Sequence, residues 1–190
     1  MWAAITNLGD AALTLPIALG VALWVGASNW RMAVRWLLLL GAGMVLVGAT
    51  KILYAGCGIE VDAIQFRVIS GHTMLASAIW PVGIALLTGS FDVRKARWGA
   101  IAGLTIGALI GVARIFDNSH TVYEVLAGWV IGTLIALFFV QAFFRERLQR
   151  RSPILIGGGL LLVSGIAFGH HAPLQMMIEH YSPTVCAPFL

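Results

Sequence analysis

A chain of 190 residues that is 59% hydrophobic and only 11% charged, with a mean hydropathy of +0.91, is not built for water. Soluble domains carry about a quarter charged residues, so composition excludes a water-soluble core and points to an integral membrane protein. The net charge of +4 and pI near 9.6 would suggest nucleic acid in a soluble chain. Here the basic residues fall in short clusters between apolar runs, so membrane orientation accounts for them and no nucleic-acid binding is expected.

Six apolar runs follow in order, at 11–27, 36–54, 73–88, 98–113, 122–144 and 154–168. They are continuous rather than alternating, so they read as helices and not as barrel strands. A span needs about 20 residues, and the shorter runs must borrow from their flanks. No basic region precedes the first run and more spans follow it, so no cleavable signal peptide is expected. The fold class is therefore all-α: an integral membrane six-helix bundle forming a single domain over 1–190, with 172–190 as an outer tail.

Charge sets the orientation. Arg31 and Arg35 lie between runs one and two, Arg94, Lys95 and Arg97 between three and four, and Arg145, Arg147, Arg150 and Arg151 between five and six. These are nine of the chain's twelve basic residues, all on one side, which makes that side cytoplasmic. Both termini then fall on the extracytoplasmic side. So do Lys51, Arg67, Arg114 and all five histidines. The fourth run carries glycines at 99, 103, 107 and 111, a repeat that gives a flat ridge for close helix approach. Trp2, Trp24, Trp30, Trp36 and Trp98 read as interfacial or packing residues.

The outer ends of runs two to five collect the ionisable groups. Lys51 closes the second run. Ser70, Gly71 and His72 open the third, Arg114 closes the fourth, and His120 opens the fifth with Glu124 one turn on. Ionisable groups at membrane depth are costly and mark function. Two histidines, an arginine and a lysine around a helix N-terminus suit phosphoryl transfer. Free N–H groups and Gly71 let a phosphate approach the backbone. Arg114 pairs with it bidentately, and Lys51 adds a point charge. One histidine attacks phosphorus while the other protonates the leaving oxygen. His120 and Glu124, at i and i+4, let the carboxylate fix the imidazole tautomer.

The stretches ISGH at 69–72 and ARIFDNSHTVYE at 113–124 resemble the signatures of the type 2 phosphatidic acid phosphatase superfamily. That family shows Lys-x6-Arg-Pro, Pro-Ser-Gly-His and Ser-Arg-x5-His-x3-Asp, and Arg114 and His120 keep its x5 spacing. The resemblance implies His120 as the nucleophile that becomes phosphohistidine and His72 as the acid. It implies Lys51, Ser70, Gly71 and Arg114 as phosphate ligands and Glu124 as the residue that orients His120. It implies no metal and no cofactor. Ala113 stands for the family serine, Ile69 for the proline and Glu124 for the aspartate. With six residues between them, Gly58 follows Lys51 where the family has arginine, and Arg67 in the same outer loop is the cation that could replace it; a solvated loop charge is the alternative.

The expected activity is hydrolysis of a lipid phosphate or diphosphate, first of all a polyprenyl diphosphate, on the periplasmic face of a bacterial inner membrane. The alternatives are a phosphoryl or headgroup transferase and a non-catalytic binding or transport protein on the same scaffold. His170, His171 and His180 read as tail histidines. Cys57 and Cys186 both fall outside, compatible with one disulfide holding the tail over the site or with two free thiols.

Overall fold

The computed structural model describes residues 5–145 together with Ile178 and Ser182. Among them are five α-helices: α1 (Ala11–Gly26), α2 (Trp30–Cys57), α3 (Gly71–Phe91), α4 (Ala96–Phe116) and α5 (Val122–Arg145). Apart from an isolated bridge between Val61 and Phe66, no β-structure occurs among the described residues. Helices α2 to α5 are long and apolar enough to cross a membrane; α1, at 16 residues, is shorter. The protein is an integral membrane helical bundle. The sixth expected run, 154–168, the tail at 172–190 apart from Ile178 and Ser182, and the three tail histidines lie outside the described residues.

Helix α2 extends past the expected 36–54 at both ends. Asn29 caps its start by accepting from Arg31 N at 3.1 Å and Met32 N at 3.3 Å. Gly58 ends it in the left-handed conformation, with φ +66°. The capped start carries Arg31 into the helix, and Arg31 lies over the exposed Trp30 ring at 6.0 Å. Trp36, by contrast, is fully buried against Phe139, with ring centroids 5.0 Å apart and its indole N–H donating to Ala18 O at 2.9 Å.

Helix α3 is the centre of the bundle, and the small-residue faces of α4 and α5 explain why. Gly99 packs on Ile84, Gly103 on Trp80 and Pro81, Gly107 on Ser77 and Gly111 on Thr73. The antiparallel helices thus match step for step at intervals of three or four residues. A β-carbon at Gly107 would lie 2.9 Å from Ser77 Cα, and one at Gly99 would lie 2.7 Å from Ile84 O. From the other side Gly128 and Gly132 of α5 press on Ser70, Met74 and Ala78. Side chains at these positions would push the helices apart, so the ridge fixes the depth of Arg114 and His120 relative to His72. Helix α2 shows the opposite pattern: Leu37, Leu38, Val45 and Leu46 are exposed, as a lipid-facing helix requires.

Before α1, a short 3-10 turn (Asn7–Gly9) lies flat on the first turn of α3. Trp80 Nε1 donates to Leu8 O at 2.9 Å. A β-carbon at Gly9 would lie 2.9 Å from His72 O and 2.9 Å from Ile110 Cγ2, so no side chain fits there. At the end of α2, Cys57 is disulfide-bonded; the chain's other cysteine, Cys186, lies outside the described residues. Ser182 sits against Gly56.

Candidate active site

Two local structures carry the ionisable residues to one end of the bundle. The first is the loop between α2 and α3. Val61 and Phe66 pair across it, with Val61 N donating to Phe66 O at 2.9 Å, and Gln65 takes a positive φ of 50° to close the turn. This delivers Arg67 and Val68 to the start of α3. The second is the link between α4 and α5. Asn118 adopts φ 58°, and the N–H groups of Ser119 and His120 both return to Arg114 O at 3.2 Å. The fold-back is the physical content of the five-residue spacing: it ties the His120 backbone to Arg114 in the last turn of α4.

Glu124 joins the two structures. It is fully buried, and all of its accepting capacity is used. Oε1 accepts from Arg67 N at 2.9 Å and Val68 N at 3.2 Å. Oε2 accepts from Thr121 N at 3.1 Å and lies 2.8 Å from His120 Nδ1. Thr121 Oγ1 in turn accepts from Glu124 N at 3.4 Å, which closes a capping box at the start of α5. The sequence TVYE carries that capping signal. A glutamate at the third helical position can serve the cap, the neighbouring loop and the imidazole at once. The Arg67 side chain also approaches Glu124, with Nε 3.6 Å from Oε1, while its guanidinium lies 5.9 Å from the Tyr54 ring centroid.

A cavity of about 670 Å³ opens in front of these groups. Lys51, Arg67, Gly71, His72, Arg114, His120 and Glu124 all line it, so seven of the eight residues singled out from sequence share one space. The eighth, Ser70, is fully buried at the cap of α3; its hydroxyl is bonded to Thr73 Oγ1 at 2.9 Å and is not part of the cavity wall. With Nδ1 of His120 paired to Glu124, Nε2 is the nitrogen left for chemistry. Burial holds the His120 pKa below the ordinary histidine value. The charges of Arg114 and Lys51 act in the same direction, and the hydrogen bond to Glu124 opposes them. The imidazole is therefore neutral at neutral pH. Arg114 bonds Asp117 through one terminal nitrogen at 3.3 Å, while its Nε is buried with no hydrogen-bond partner. A buried guanidinium N–H without an acceptor is costly, and an oxyanion in the cavity would satisfy it.

The cavity has an apolar half as well. Met44, Val47, Gly48, Lys51, Tyr54 and Ala55 form one stripe of α2 at helical spacing, with Met74 and Leu75 opposite. From Lys51 to Met44 the stripe runs about 10 Å along the helix axis. Ile178 completes the wall. Gly58, in the place of the family arginine, is the C-cap of α2 and lies outside the cavity lining. The helix ends there, and Arg67 is the arginine of that loop which reaches the cavity.

Sequence reasoning missed Asp10. It is nearly buried, lines the same cavity, and places Oδ2 3.5 Å from His72 Nε2. Its position just before an apolar run marks it as a helix cap, but nothing in the sequence ties it to a residue 62 positions on. Among the described residues no group of three or more His, Cys, Asp or Glu could hold a metal ion.

The family profile described as the PAP2 superfamily matches residues 58–148. A protein of the cps region of Klebsiella pneumoniae, described as an uncharacterized 22.5 kDa protein, is 32% identical over 97% of this chain and 91% of its own. The chain belongs to the PAP2 superfamily. Phosphatidylglycerophosphatase B of Bacillus subtilis is 28% identical over 77% of this chain and 74% of its own. Human glucose-6-phosphatase 3 is 30% identical over 41% of this chain and 24% of its own. No solved structure matches significantly. The profile match starts at the end of α2, so Asp10 and Lys51 lie outside it.

Proposed function

We propose that this protein is a membrane lipid phosphatase that hydrolyses a lipid phosphate or diphosphate through a phosphohistidine on His120. The observation that carries the reading is the His120–Glu124 pair, 2.8 Å apart, on a cavity that also holds His72, Arg114 and Lys51. Neutral His120 Nε2 attacks phosphorus. Glu124 keeps the proton on Nδ1 and stabilises the charge that develops on the ring. Arg114, Lys51, Arg67 and the free N–H groups at the start of α3 hold the phosphate oxygens. His72 gives a proton to the leaving oxygen as the bond to phosphorus breaks. Water, deprotonated by the same His72, then attacks the phosphohistidine and releases inorganic phosphate, which restores both histidines.

Substrate class follows from the shape of the cavity. Charge gathers at the Lys51 end, while the Met44–Leu75 end is apolar and adjoins a helix whose outer face meets lipid. That suits a phosphate on an acyl or prenyl chain better than a free sugar phosphate, and polyprenyl diphosphate is the first substrate to try. The clusters Arg31, Arg35 and Arg94, Lys95, Arg97 lie at the opposite end of the bundle, so positive-inside orientation favours a periplasm-facing site in a bacterial inner membrane.

The test is phosphate release from a panel of lipid phosphates and diphosphates by detergent-purified protein, with His120→Ala alongside. Release by the native chain and none by the variant is expected. Undiminished turnover in the variant would remove the mechanism. Phosphate appearing on an added acceptor lipid instead of in water would make the protein a transferase.

A further inference from the structure

The two histidines of the cavity do not have the same support, and the support of His72 comes from a part of the chain that the family profile does not reach. Asp10 stands at the junction of the Asn7–Gly9 turn and α1. Its Oδ1 accepts from Ala12 N at 2.8 Å, which caps α1. Its backbone O accepts from Thr14 Oγ1 at 2.8 Å. The other carboxylate oxygen, Oδ2, is turned to His72 Nε2 at 3.5 Å. Capping alone requires none of this. Ser, Thr or Asn would cap the helix as well, and a cap on a surface helix need not face an imidazole. The turn before it is fitted to His72 with no room to spare at Gly9, and Trp80 ties it down through Leu8. The delivery of a carboxylate to this ring is thus built into the packing.

The charge around His72 explains what the carboxylate is for. Lys51 of α2, Arg67 of the following loop and Arg114 of α4 face the same cavity, and all three are cationic. His120 and Glu124 face it from the α5 side, and Glu124 is already committed to His120 and three backbone N–H groups. Asp10 is the other carboxylate of the cavity lining, and it is the one that meets His72.

We propose that Asp10 is the positioning residue of the acid. It accepts the Nε2–H of His72, fixes the ring, and leaves Nδ1 as the nitrogen that protonates the leaving oxygen. This rests on the phosphatase reading above. In the step itself the Nδ1–H proton passes to the alkoxide as its bond to phosphorus breaks. His72 becomes neutral with Nε2–H still held by Asp10. In the second step Nδ1 takes a proton from the attacking water and the imidazolium is restored beside the same carboxylate. Asp10 keeps its charge throughout.

A leaving group that needs no proton makes the role measurable. Asp10→Asn keeps an oxygen for Ala12 N, and Asp10→Ser keeps a cap without reaching His72, so either variant preserves α1. The full-length protein in detergent is assayed with a long-chain alkyl phosphate and with 4-nitrophenyl phosphate. Both variants should lose roughly tenfold or more in kcat/KM on the alkyl phosphate, a share of what a general acid contributes to the step that forms the phosphohistidine. They should lose little kcat/KM on 4-nitrophenyl phosphate. In a His72→Gln background, Asp10→Asn should cost nothing further. Equal losses of kcat/KM on both substrates would reduce Asp10 to a helix cap, and unchanged kcat/KM on the alkyl phosphate would overturn the role outright. Wild-type protein that releases phosphate from neither substrate would sink the phosphatase reading itself, a separate outcome from a failed variant.

Discussion

His120 and His72 face one cavity, and their surroundings differ in kind. The His120 side chain is 9% exposed and its carboxylate partner is wholly buried at 2.8 Å. The His72 side chain is 31% exposed and its partner stands at 3.5 Å. Glu124 is locked by three backbone N–H groups and the capping box, whereas the Asp10 carboxylate caps α1 through Ala12 N. A nucleophile gains from a fixed ring, because attack requires alignment within a narrow angle. An acid must reach leaving oxygens that differ in position between substrates, and a looser, wetter partner permits that. On the proposed mechanism, rigidity falls where the bond would be made and latitude where the proton would be delivered.

The largest effect on this contrast should come from Glu124→Gln. The amide can still accept from the loop N–H groups, but it cannot stabilise a charged imidazole or hold Nδ1–H as a carboxylate does. Turnover should fall roughly 10³–10⁴-fold, as when the carboxylate of a catalytic triad becomes an amide. The chain should remain folded by circular dichroism. A loss no greater than that of Asp10→Asn would erase the distinction between the two pairs.

A smaller effect reads the electrostatics of His120. Its pKa is held below the ordinary value by burial first and by Arg114 and Lys51 next. The neutral form, the nucleophile of the proposed mechanism, therefore persists to lower pH than for a free histidine. The acid limb of kcat/KM should lie below about 6.5. Lys51→Met removes one of the cations that lower the pKa, so the pKa rises and the limb should move to higher pH, while Arg114 and burial remain. A limb that moves down, or stays in place, would show that Lys51 does not act on His120.

The smallest effect on chemistry is expected at the Cys57 bridge, since neither histidine pair touches it. Mass spectrometry of non-reduced peptides should find Cys57 joined to Cys186, and reduction should lower Tm more than kcat. Both thiols free and alkylatable in protein purified without reductant would remove the bridge and its restraint on the chain beside Gly56.

The residues of the site were legible because each helix run ended with its ionisable group in view. Alternating direction alone puts Lys51, His72, Arg114 and His120 at one end of the bundle. What escaped the reading was short-range geometry. Ser70 reads as a phosphate ligand by its place before Gly71 and His72, yet tight packing under Gly128 buries it, and its hydroxyl turns to Thr73. Gly58 reads as a lost arginine, and the structure makes it the residue that stops α2. Glu124 reads as the partner of His120. That it also clamps the backbone at Arg67 and Val68 depends on a contact across 56 and 57 positions of chain.

The sequence by itself determined a helical membrane protein, the end of the bundle that gathers the ionisable residues, and the pairing of His120 with Glu124. Each of these follows from hydropathy, loop charge or spacing within one helix, and all are local or additive along the chain. Only the tertiary structure decided that Asp10 meets His72, that Arg67 lines the cavity beside Glu124, and that the cavity runs down α2 toward Met44. Those contacts join segments tens of residues apart. They are set by how closely the glycine faces of α4 and α5 let their backbones approach α3, and by how tightly Gly9 lets the first turn lie on His72. Packing distances of that kind depend on all the helices at once, so no one segment of sequence encodes them.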